Sequence, residues 1–115
     1  MGKYRFELSE EDKILTIYLD GFFEADAANS FKEEYLKMVN LLNDSKQYDL
    51  RLECEGMTVI KANLLEDLGQ CIKQYTEDFK NVVVIKNVEQ KVLTIQTNKL
   101  IEKLNLFDKI TIKEV

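Results

Sequence analysis

Val82-Val83-Val84-Ile85, following a loop that ends at Asn81, is an unbroken apolar run. Residues 82–85 are apolar and β-branched throughout, and so short a run suits an interior strand better than a buried helix. The sequence therefore predicts the centre of a sheet here, covered on both faces. Upstream, Leu64, Leu65, Leu68, Ile72 and Tyr75 recur at three- to four-residue intervals and predict one face of a helix. Downstream, Leu93, Thr97, Leu100 or Ile101, and Leu104 suit a helix within residues 88–106, although residues 92–95 alone would pass for a strand. Length decides for the helix. A buried strand between two helices points to parallel pairing.

Further out, Tyr4, Phe6 and Leu8 alternate with Arg5 and Glu7, and residues 14–19 come after Ser9-Glu10-Glu11-Asp12-Lys13, which predicts an N-terminal hairpin. Ala28, Phe31, Tyr35, Met38 or Val39, and Leu42 predict a helix, with Asp26 as N-cap or Ser30 and Glu33 as a rival capping box. Asn43-Asp44-Ser45 closes it. Residues 48–53 read as a strand with Tyr48, Leu50, Leu52 and Cys54 on one side of the pleat. Asn63 and Glu66 are placed to cap the next helix. Residues 110–115 close the chain as a short strand. The order β-β-α-β-α-β-α-β predicts an α/β domain spanning residues 1–115. Its sheet is mixed and mostly parallel, of four to five strands, with helices chiefly on one face.

Composition narrows the chemistry. The 115 residues are 45% hydrophobic and 32% charged, with 16 Lys plus Arg against 21 Asp plus Glu, a formal charge of −5. That balance disfavours nucleic acid and acidic lipid as partners, because both need a broad basic face. No His is present, so the side chain best suited to proton transfer near neutral pH and to metal ligation is missing. No enzyme constellation emerges from the remaining Asp, Glu, Lys and Tyr. No cofactor or metal site is expected, the spacing of Asp20, Glu24 and Asp26 fitting no metal loop. Cys54 and Cys71 match no CxxC or zinc spacing and read as small core hydrophobes. No apolar run approaches the length of a membrane span, and no signal-peptide pattern opens the chain, so a reducing cytoplasm is the expected compartment. Residues 1–60 carry 13 acids and 7 bases, and residues 61–115 carry 8 and 9. Lys86, Lys91, Lys99, Lys103, Lys109 and Lys113 read as a scattered, solvated set.

Two landmarks carry a family resemblance. One is Leu19-Asp20-Gly21-Phe22-Phe23-Glu24-Ala25-Asp26-Ala27-Ala28, a strand ending in Gly before an acidic, alanine-rich helix start. The other is the Leu-rich helix, turn and last strand at residues 100–110. In their order and spacing they resemble the STAS family, the SpoIIAA-like fold shared by bacterial anti-sigma factor antagonists and the cytoplasmic domains of sulfate transporters. In that family a loop reading approximately Gly-x-x-x-Ile-Asp-Ser-Ser-Gly-Leu-x-x-Leu carries a Ser that a kinase phosphorylates. The matching stretch here is Gly56-Met57-Thr58-Val59-Ile60-Lys61-Ala62-Asn63-Leu64-Leu65-Glu66-Asp67-Leu68. Gly56, Ile60, Leu65 and Leu68 are kept, whereas Lys61, Ala62, Asn63 and Leu64 replace the acid, the two hydroxyls and the glycine. Ala62 and Asn63 cannot accept phosphate. Thr58 has a hydroxyl but lies earlier in the loop.

The resemblance implies a non-catalytic protein-interaction domain that has lost the phosphorylation switch and binds a partner through Thr58, Lys61, Ala62, Asn63 and Leu64. An anti-sigma factor or related regulator is the partner class it implies. The runner-up is a STAS-like domain that binds a lipid or other small hydrophobic ligand in an apolar pocket. Lys61-Ala62-Asn63 itself admits two readings, an anion site at a helix start or a plain cap with a solvated lysine. Of the adjacent Phe22 and Phe23, one is expected to face inward and the other outward.

Overall fold

The structure, a computed structural model, describes residues 2–42 and 44–115. A hairpin of β1 (Lys3–Ser9) and β2 (Ile14–Gly21) leads into α1 (Ala25–Leu41), β3 (Asp49–Met57), α2 (Leu65–Asp78), β4 (Asn81–Lys86), α3 (Lys91–Lys103) and β5 (Ile110–Glu114). The five strands lie side by side in chain order, β1 antiparallel to β2 and every later pair parallel. Each parallel crossover steps one place in the same direction, so right-handed connections put all three helices on one face. The α/β order and the mixed, mostly parallel sheet are those expected from the sequence.

The core forms where that face meets the helices. Leu15, Ile17, Leu50, Leu52, Cys54 and Val82 point from the sheet toward Phe31 and Tyr35 of α1, Ile72 and Tyr75 of α2, and Ile101 of α3. Alternation in β2 and β3 delivers these side chains to one side of the pleat. Burying each large aliphatic side chain contributes about 2 kcal/mol. Phe31 and Tyr35, four apart on α1, continue into the aromatic cluster of Tyr4, Phe6, Tyr75 and Phe79, with ring centroids 5.1 to 6.3 Å apart. The Tyr35 hydroxyl donates to Asp78 Oδ2 at 2.8 Å and ties α1 to the end of α2.

Several local expectations are corrected. The sheet centre is β3, not β4, because β5 pairs beyond β4. Helices cover only one face of β4; on the other, Val83 lies between Arg51 and Thr111, and Ile85 between Glu53 and Lys113, in register. Neither Asp26 nor Ser30 caps α1. The Ala28 N–H already bonds the Glu24 carbonyl at 2.9 Å, so the helix starts earlier and both residues lie inside it. Asn63 makes no cap either, being part of a 3-10 turn at Ala62–Leu64 that precedes α2. α1 ends at Leu41; of its expected stop signal, Asn43 lies outside the described residues.

The helical reading of residues 88–106 holds in its middle, and the end of α3 has a clear cause. Asn105 takes a left-handed φ of 55°, its N–H bonds the Glu102 carbonyl at 3.1 Å, and the Leu106 N–H bonds the Ile101 carbonyl at 3.0 Å. This is a Schellman closure, and the buried pair Ile101 and Leu106 supplies its apolar contact.

Candidate protein-interaction site

The loop leaving β3 is built from the strand upward. The register of β2 and β3 shifts between Tyr18 and Asp20, setting Asp20 beside Gly56 and Gly21 beside Met57. A Cβ on Gly56 would stand 1.8 Å from Asp20 Oδ1, so this position is occupied from outside and only glycine fits as the side chains stand. Gly21, at φ 80°, turns the chain in a region closed to most side chains. Its carbonyl accepts from the Thr58 N–H at 3.1 Å and the Thr58 hydroxyl at 3.4 Å. Thr58 is therefore fastened to the end of β2.

Two glutamines of the α3 region fix the remainder of the loop. The Gln96 carboxamide accepts from the Ile60 N–H and donates to the Ile60 carbonyl, both at 2.9 Å. Gln90 Nε2 donates to the Cys54 carbonyl at 2.9 Å and to that of Met57 at 2.7 Å, while its Oε1 accepts from the Asn87 N–H at 2.6 Å. Sequence reasoning missed both glutamines. Gln90 stands at the cap position of α3 and Gln96 one turn and a half into it, inside a stretch read only for its apolar period.

Held this way, the loop presents Val59 at 44% exposure, and α3 presents Val92 at 53% and Ile95 at 55%, three apart. Val59 and Val92 border one shallow groove with Thr58 and Glu89. Of the five residues assigned to partner binding from the sequence, Thr58, Lys61, Ala62 and Asn63 are exposed. Leu64 is buried and lines the interior, so it supports the loop from beneath. Glu66 and Asp67 occupy the first turn of α2, where they already complement its dipole and would repel an incoming anion. This favours the plain reading of Lys61-Ala62-Asn63.

Beneath the loop lie two apolar cavities of about 80 and 60 Å³, sharing Leu19, Met57, Ile60, Leu68 and Tyr75 in their linings. Phe23 faces the first; Phe22 is half-buried. The second reaches Lys86, which is not solvated as expected but 2% exposed. Its ammonium donates to the Thr94 hydroxyl and, at 3.0 Å, to Glu114 Oε1. The signal lay in the strand, since Lys86 continues the inward alternation of Val82 and Val84. Cys54 and Cys71 are both free thiols. Burial pushes the Cys54 thiol up to about 12, which leaves it without nucleophilic thiolate near neutral pH.

No family model and no curated protein matches the sequence. Among solved structures, the chain superposes on an uncharacterised protein of the DUF3478 family from Shewanella loihica. The TM-score is 0.63, the superposition covers 99% of this chain and 85% of that one, and 14% of residues are identical. That protein is described as having a SpoIIAA-like fold. The chain has a SpoIIAA-like fold. A STAS-like domain was what the two sequence landmarks implied, and the SpoIIAA-like architecture agrees with it. Among the described residues no helix is long and apolar enough to cross a membrane.

Proposed function

We propose that this SpoIIAA-like domain is a non-catalytic protein-interaction module of the cytoplasm that binds a regulatory protein through the loop between β3 and α2. The reading rests above all on the exposed Val59, set beside Val92 and held in place by the grip of Gln96 on Ile60. Ordered, exposed aliphatic side chains on a fixed loop offer a partner contact area at little entropic cost. The loop bears Ala62 and Asn63 where the family's hydroxyls stand, so binding is constitutive and not gated by phosphate. Lys61, exposed two residues after Val59 in the same loop, adds charge selectivity. The cavities are smaller than the roughly 300 Å³ at which ligand pockets begin, so the lipid-binding alternative has less support.

The test uses the purified chain as bait in three forms: parent, Val59→Asp and Lys61→Glu. A protein retained by the parent, lost by Val59→Asp and held more weakly by Lys61→Glu at low salt supports the reading, provided all three melt alike. A partner bound equally by all three moves the binding surface elsewhere. Incubation with ATP and a serine kinase of the switch type should leave the loop unmodified by mass spectrometry, and stoichiometric phosphate on Thr58 refutes the loss of the switch.

A further inference from the structure

β1 ends the sheet on one side, and its outer backbone groups have no strand partner among the described residues. Edge strands of this length invite pairing with another chain unless their side chains forbid it. Here the side chains choose one pairing. On the face away from the helices β1 carries Lys3, Arg5, Glu7 and Ser9; on the helix side it carries Tyr4, Phe6 and Leu8, which are half-buried. Arg5 and Glu7 are 64% and 59% exposed, 3.2 Å apart, with the Arg5 guanidinium 4.1 Å from the centre of the Tyr18 ring.

We propose that β1 pairs antiparallel with β1 of a second copy about a two-fold axis at Phe6, joining two five-stranded sheets into one of ten strands. In that register Arg5 lies opposite Glu7 of the second copy and Glu7 opposite its Arg5, both pairs on the face without helices. Tyr4 meets Leu8 and Phe6 meets Phe6, extending across the axis the cluster in which Phe6 stacks on Phe31 at 5.9 Å. Side chains alternate with period two, so registers displaced by a single residue would set helix-facing against solvent-facing side chains. Registers centred on Arg5 or Glu7 place Arg5 against Arg5 or Glu7 against Glu7, and one centred on Tyr4 places Lys3 against Arg5. Like charges directly opposite are unfavourable. Only the axis at Phe6 makes both charged pairs complementary. The contact is isologous and uses up the β1 edge of both copies, so it closes at two chains.

The experiment is sedimentation equilibrium on the full chain and on charge variants, each checked for native melting. The parent is expected to be dimeric at tens of micromolar. Arg5→Glu and Glu7→Arg, each alone, should weaken self-association at least about tenfold, since the two-fold axis doubles every like-charge pair. Mixed together, those two variants should pair with each other, because one then presents acids at both positions and the other presents bases at both, and every cross-axis pair is complementary. The double swap Arg5→Glu with Glu7→Arg should restore the parent's affinity. A monomeric parent overturns the proposal, and so does a dimer indifferent to both single reversals, or a mixture that stays monomeric.

Discussion

The side-chain amide of Gln96 spans both backbone groups of Ile60, 2.9 Å to the nitrogen and 2.9 Å to the oxygen, and so replaces for one residue the strand partner that the loop lacks. An amide is suited to this because it carries donor and acceptor side by side. Gln96→Ala should cost about 1 to 3 kcal/mol in chemical denaturation, two part-buried hydrogen bonds being lost together. The Ile60 amide should lose hydrogen-exchange protection while amides of β3 keep theirs. Gln96→Glu, which keeps the acceptor and loses the donor, should fall between the two.

Gly56 and Asp20 should be energetically coupled. Gly56→Ala drives its methyl into the Asp20 carboxylate, which must rotate away at a cost of about 1 kcal/mol. In an Asp20→Ala background most of that cost should vanish, and a double-mutant cycle by urea denaturation measures the difference. Equal costs in both backgrounds would locate the strain in the backbone.

Asn105 reports on the closure of α3. Its left-handed φ of 55° costs a β-carbon about 1 kcal/mol that Asn reduces and glycine avoids. Asn105→Ala should therefore lower stability by about 1 kcal/mol, with Asn105→Gly close to the parent in the same thermal melts.

Stability should decline in alkali for an identifiable reason. Burial raises the Cys54 thiol to about 12, and burial also raises the phenols of Tyr35 and Tyr75. Below about pH 8 these groups keep their protons in both states and contribute fully. As pH rises from there toward 12, the unfolded chain loses protons that the folded chain retains, and the balance shifts toward unfolding. Cys54→Ala should flatten part of that slope in melts between pH 8 and 11, whereas an unchanged slope would assign it to the tyrosines and to Cys71, whose thiol burial also raises.

Period and sign carried most of the fold that was legible in the sequence. The alternation of Leu50, Leu52 and Cys54 and the helical spacing of Phe31 and Tyr35 specify which face is buried, and these together determine the layer order. Boundaries were less legible, since Ser30 and Asn63 have the chemistry of caps but stand inside helical turns whose starts the backbone sets. In the candidate site, the lost hydroxyls at Ala62 and Asn63 were plain from the residues. The supports were hidden because Gln90 and Gln96 reach the loop from about thirty-six positions away, a separation for which local pattern carries no signal. Lys86 misled by its charge, although it continues the inward alternation of Val82 and Val84.

The coincidence of spatial and sequential strand order shapes how the chain is made as well as how it looks. Each strand after the first leaves the ribosome with the neighbour it adds to already synthesised, and the loop to be closed is never longer than one helix and its connections. No strand waits for a distant one to be inserted beside it. Assembly can run in one direction, from the hairpin to β5, each new strand adding to the growing edge while the outer edge of β1 stays open throughout.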